Sequence, residues 1–188
     1  MQAVLKKAAA LDIAMICPLH GPVLKEDLGH YIDKYNIWSS YGVESEGVFI
    51  AYASVYGNTR KAADMLASKL ADKGVHVTVS DLARDDWAEC LEDAFRYGKL
   101  VLAAPTYNAD VFPAMKEFIN HLTERNYQNR TIGIIENGSW APMAAKVMKG
   151  MFEKSKNITF AENTVTVRSA VNAANEAQIE ALAEELKG

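Results

Sequence analysis

The chain has little of several things. It holds two cysteines in 188 residues, Cys17 and Cys90, with no CxxC spacing. That excludes a disulfide framework and a structural zinc site, and it fits a reducing compartment. Basic residues never run beyond two in a row, and the net charge is -4. A nucleic-acid groove or an anionic membrane surface is therefore not an expected partner. No apolar stretch approaches the roughly 18 residues of a membrane span. The first residues, MQAVLKKAAALDIAMIC, mimic a secretory leader, but Asp12 interrupts the apolar run and no clean cleavage site follows. A cytoplasmic protein is expected. Repeats and low-complexity segments are absent as well.

What is present is globular composition, 49% hydrophobic and 23% charged, in a length that suits one domain with an appendage. The first forty-odd residues differ from the rest: a short helix over about 2–10, the Pro/Gly turn CPLHGP, then an aromatic-rich stretch. GVESEG (42–47) reads as a linker. From Val48 onward, strand and helix patterns alternate. VFIAYA (48–53), LVLAA (100–104) and TIGIIE (131–136) are continuous apolar runs, whereas VHVTVSD (75–81) and TVTVR (164–168) alternate. Helical periodicity covers 58–74, 85–98, 112–125, 141–155 and 175–187. Five strands with intervening helices predict an α/β fold: a doubly wound, five-stranded parallel sheet.

Strands buried on both faces read as unbroken apolar runs, and edge strands alternate. The first, third and fourth strands are therefore central, and the second and fifth are edges. This selects the flavodoxin-like order 2-1-3-4-5. In that order a ligand binds where the strand order reverses, between the carboxyl ends of strands one and three.

Three loops meet there. The first, Ser54, Val55, Tyr56, Gly57, Asn58 and Thr59, offers three side-chain donors, a glycine for close approach and a helix N-terminus. Together they suit one phosphate held by neutral donors. The same residues would equally serve as a simple helix cap. The second loop brings Pro105, Thr106, Tyr107, Asn108 and Ala109. The third brings Asn137, Gly138, Ser139 and Trp140. A phosphate pocket beside two aromatics suits a planar ring, although Tyr107 and Trp140 would also serve as loop packing. GxGxxG and GxxxxGK[ST] are both missing, which leaves a dinucleotide fingerprint and a phosphate-transfer loop unsupported. Strand one ends in AYAS, without the aspartate of a phospho-acceptor domain.

SVYGNT, PTYN and the Gly/aromatic third loop resemble the FMN-binding loops of flavodoxins. LDIAMICPLHGPVL followed by an aromatic linker resembles the domain join of flavodiiron proteins (A-type flavoproteins). The resemblance implies that residues 1–46 are the end of a metallo-β-lactamase-like diiron domain plus linker, and that 47–188 are an FMN-binding flavodoxin-like domain. The fifteen loop residues named above would hold the cofactor, and no side chain would be catalytic. The implied function is electron relay from a rubredoxin-like donor or a reductase, through FMN, to a diiron site that reduces O₂ or NO, in a family that forms head-to-tail dimers. His20 matches a family iron ligand. Upstream of residue 46 only His30 accompanies it, without the family's histidine–carboxylate cluster, so no metal is expected in this chain and His30 reads as packing. Three alternatives stay open: an NAD(P)H-dependent quinone or flavin reductase of the same fold, a cofactor-free interaction module, and, from His20 alone, a piece of a metal-dependent hydrolase.

Overall fold

A computed structural model describes all residues 1–188 as two compact units, Met1–Glu44 and Ser45–Gly188. The first contains α1 (Gln2–Ala8) and α2 (Leu28–Ser39). An isolated antiparallel bridge, Ile16 to Leu24, spans the CPLHGP turn. The sequence pattern assigns no element to the aromatic stretch, yet it is helical. Residues 28, 31, 35 and 38 fall on one helical stripe and no proline interrupts it. Lys34 and the Trp38 indole both donate to Glu44. No residue of this unit is buried.

The second unit runs β1 (Ser45–Tyr52), α3 (Asn58–Asp72), β2 (Val77–Asp81), α4 (Trp87–Arg96), β3 (Tyr97–Tyr107), β4 (Asp110–Val111), α5 (Pro113–Glu124), β5 (Arg130–Asn137), α6 (Ala144–Met151), β6 (Ile158–Val167) and α7 (Ala173–Leu186). The parallel sheet has the order β2-β1-β3-β5-β6, with β4 antiparallel to the end of β3. This is the flavodoxin-like order expected, with one short strand added.

The continuous apolar runs explain themselves at the level of single residues. Along β1, Phe49 and Ala51 face one core cluster while Val48, Ile50 and Tyr52 face the other. β3 divides the same way, Leu100 and Leu102 against Val101 and Ala103. Helices α4, α5 and α6 cover the first cluster; α3 and α7 cover the second. A strand buried on both faces has no polar position to spare.

Element ends differ from the pattern where tertiary contacts prevail. The helix expected to stop at Gly98 ends at Arg96, because Tyr97 turns extended and buries its ring, its hydroxyl meeting His76 and Thr78, each at 3.1 Å. Ser45 and Glu46, read as linker, already belong to β1. Gly47 is needed there: its φ is +143°, and a Cβ would sit 2.7 Å from the His76 carbonyl. β6 begins at Ile158, six residues earlier than the alternation suggests. α6 starts only at Ala144, past Pro142, which disfavours helix before it.

Candidate functional site

The carboxyl ends of β1, β3, β5 and β6 surround a cleft of about 420 Å³. The first loop supplies Ser54, Val55, Tyr56, Asn58 and Thr59, the second Pro105, Thr106 and Tyr107, the third Asn137, Gly138 and Ser139. Of the fifteen residues predicted, four are elsewhere. Gly57 caps α3 without lining the cleft. Asn108, Ala109 and Trp140 line a neighbouring hollow of about 320 Å³, which shares Thr106, Gly138 and Ser139 as its wall. Tyr107 and Trp140 are thus not brought to one cleft. Trp140 is 88% exposed, while Tyr107 packs edge-on against Phe112 at 5.8 Å.

The first loop fits a phosphate. Gly57 stands at α3's N-cap with φ +86°, and its own N–H donates to Ser54 Oγ at 3.1 Å. No side chain caps α3 and no acid lies in its first turn. Helix geometry leaves the amides of Asn58, Thr59 and Arg60 without intrahelical acceptors. Thr59 is 2% exposed, yet its hydroxyl has no partner within the chain. The free amides at the start of α3 and the Thr59 hydroxyl, at the edge of a cleft free of carboxylates, make a donor set for an anion. A Cβ built on Gly57 would meet nothing within 4 Å, so the space before the helix is open.

The second and third loops are held by their own hydrogen bonds. Thr106 Oγ1 accepts from the amides of Met143 and Ala144, at 2.9 and 3.1 Å, and so begins α6. Buried Glu136 accepts from Ala145 N and Thr166 Oγ1. The Asn137 carboxamide is taken on both sides by the backbone of Ser169. The β3–β4 hairpin turns through Asn108 and Ala109, at φ 51° and 58°. At its base Lys116 pairs with Asp110, holding that carboxyl below its ordinary range. Tyr52, the last residue of β1, is pushed above its ordinary range by burial and then by Asp81.

Two lining residues escaped the sequence reading, Phe112 and Ser169. Phe112 reads as the first residue of the helix over 112–125. Ser169 lies beyond the last strand, and nothing in RSAV marks it. A larger concavity of about 560 Å³ lies between the carboxyl ends of α5 and α6, away from every predicted residue. His20 and Cys17 are exposed. Nowhere do three His, Cys, Asp or Glu side chains gather closely enough to hold a metal ion.

Comparison with known proteins adds to this geometry. Residues 49–169 match the family model described as flavodoxin domain. The coenzyme F420H(2) oxidase of Methanothermobacter marburgensis is 32% identical over 120 residues, 64% of this chain and 29% of its own. The anaerobic nitric oxide reductase flavorubredoxin of Aeromonas hydrophila is 27% identical, over 69% of this chain and 26% of its own. Rubredoxin oxygen:oxidoreductase of Desulfovibrio gigas superposes with a TM-score of 0.90 at 19% identity, covering 99% of this chain and 47% of that one. The chain thus spans less than half the length of these relatives. With the family model matched across most of the β1–α7 unit, and an anion cradle at the switch point of its sheet, the chain belongs to the flavodoxin domain family, whose cofactor is FMN.

Proposed function

We propose that the Ser45–Gly188 unit holds FMN in the cleft at the ends of β1, β3, β5 and β6 and works as the electron-relay module of a flavodiiron-type O₂/NO reductase. The observation that carries this is the start of α3, where unpaired amides and the unpartnered Thr59 hydroxyl meet a cleft without carboxylates. Ser54 through Thr59 hold the phosphate. Pro105, Thr106 and Tyr107, with Asn137, Gly138 and Ser139, bound the ring, and Asn108, Ala109 and Trp140 flank it from the neighbouring hollow. Bound FMN supplies the redox chemistry. The chain's own contribution is to bind, orient and shield. No Asp, Glu, His, Lys or Arg lines the cleft, so no side chain there is required to move a proton.

The electron donor is a rubredoxin-like protein, in keeping with the names of two of the relatives. The acceptor is a diiron centre carried by other polypeptide, and a homodimer would bring the two together. On the same reading, residues 1–46 are the closing segment of the iron-binding domain with its linker. The absence of any buried residue from Met1–Glu44 supports this, since a segment of that kind finds its core in a larger body.

A fluorescence titration tests the cofactor, with FMN emission expected to quench on binding at one equivalent. No binding would overturn the reading. Anaerobic mixing tests the donor. Reduced rubredoxin should bleach the bound flavin rapidly, and equally rapid bleaching by NADH alone would replace the protein donor with a nicotinamide.

A further inference from the structure

Beyond the three predicted loops, a fourth reaches the cleft. Ser169 lines it from the corner between β6 and α7. This corner is tightly built. Ser169 has φ +68°, and Ala170 N donates to Arg168 O at 3.0 Å, which makes a three-residue γ-turn of the uncommon positive-φ kind. Asn137 enforces it. Its Nδ2 donates to Ser169 O and its Oδ1 accepts from Ser169 N, both at 3.1 Å, from a side chain that is 8% exposed. Beside it, Gly138 N donates to Val167 O at 3.0 Å. With the backbone of Ser169 fully engaged, its hydroxyl is left exposed and without a partner in the chain.

The two faces of the sheet give the cleft a direction. The phosphate cradle starts α3, which covers the same core cluster as α7, and Val171, two residues past Ser169, packs on that cluster. Tyr107 packs on Phe112, which belongs to the opposite cluster. Ser169 therefore stands on the phosphate-side half of the cleft. The part of FMN next to its phosphate is the ribityl chain, whose hydroxyls seek hydrogen-bond partners.

We propose that Ser169 Oγ is a cofactor-binding group for the ribityl hydroxyls, and that Asn137 is the positioning residue that holds it there. Asn137, which itself lines the cleft, thus acts through Ser169 as well. The proposal rests on the flavin reading above, and the experiment separates the two. FMN and riboflavin are titrated against wild type, Ser169→Ala, Asn137→Ala and the double variant. If wild type binds neither flavin, the cofactor reading fails and takes this proposal with it. If wild type binds, Ser169→Ala should raise the Kd for both flavins by the same factor, roughly three- to tenfold for one hydrogen bond. Unchanged affinity, or a loss confined to FMN, overturns the ribityl assignment. Asn137→Ala should weaken both flavins at least as much, and adding Ser169→Ala to it should cost nothing further. Additive losses overturn the positioning role. Should Asn137→Ala not fold, Asn137→Asp keeps the acceptor for Ser169 N and loses the donor; it should fall between wild type and Ser169→Ala.

Discussion

Gly57 and Ala109 both sit at positive φ beside the cleft, and only one of them is a glycine. At Gly57 the φ of +86° and the open space before it serve the anion. Valine there would be strained, because a β-branched residue tolerates this region poorly, and its methyls would fill the approach to the α3 amides. Gly57→Val should weaken FMN binding about tenfold because its methyls block the approach, while the strain itself lowers stability by the order of one to two kcal/mol. An unchanged titration would remove the phosphate from this loop. Ala109 is the opposite case. The two-residue hairpin turn asks for positive φ at both centres, and alanine at the second is strained. Ala109→Gly should raise stability by about 1 kcal/mol in urea denaturation, since the turn no longer opposes its own residue. A loss of stability would mean that the methyl makes a contact outweighing the strain.

Helices α3 and α7 meet through charge as well as through the core. Lys69 and Lys73 pair with Glu180, and Lys73 pairs also with Glu184. Hydrogen bonds from Lys69 and Lys73 lower Glu180 to about 2 from its ordinary 4.5. Glu180 and Glu184 raise Lys73 to about 12 from 10.5. Because the carboxyl is depressed on folding, its stabilising share is complete above pH 4.5 and is lost as pH falls toward about 2. The lysine's share is complete below pH 10.5 and is lost as pH rises through about 12. The cluster lies at the surface, with Lys69, Lys73 and Glu180 only half-buried, so the effect is small and salt-sensitive. Glu180→Gln should lower the neutral Tm slightly and leave the value near pH 2 unmoved, so that the acid arm flattens. Parallel acid arms in variant and wild type would deny the cluster this role.

At the scale of the whole molecule, both core clusters are built entirely from residues beyond 47. A chain beginning at Ser45 should therefore fold cooperatively and bind FMN within about twofold of the full-length affinity. A molten product, lacking near-UV ellipticity, would show that residues 1–44 contribute to the core. The sheet order was legible because β1, β3 and β5 are buried on both faces and are apolar through their middles, the polar residues of β5 standing at its ends, whereas β2 and β6 alternate. Positions set by contact were not legible. Tyr97 overrode a glycine stop, and the β4 strand rests on a turn whose second centre, Ala109, does not announce positive φ. Most of the cleft could be read because glycine, proline and hydroxyl residues cluster at strand ends. Ser169 could not, since what places it is the carboxamide of Asn137, more than thirty residues earlier.

The uncapped start of α3 has one further consequence. Its donors are dipoles and hydroxyls, and no lysine or arginine lines the cleft. Fixed dipoles in contact with an anion are barely screened, whereas long-range attraction between full charges collapses once the Debye length shortens. Retention of the cofactor should thus be almost indifferent to ionic strength, with titrations in dilute buffer and in molar salt giving nearly the same curve.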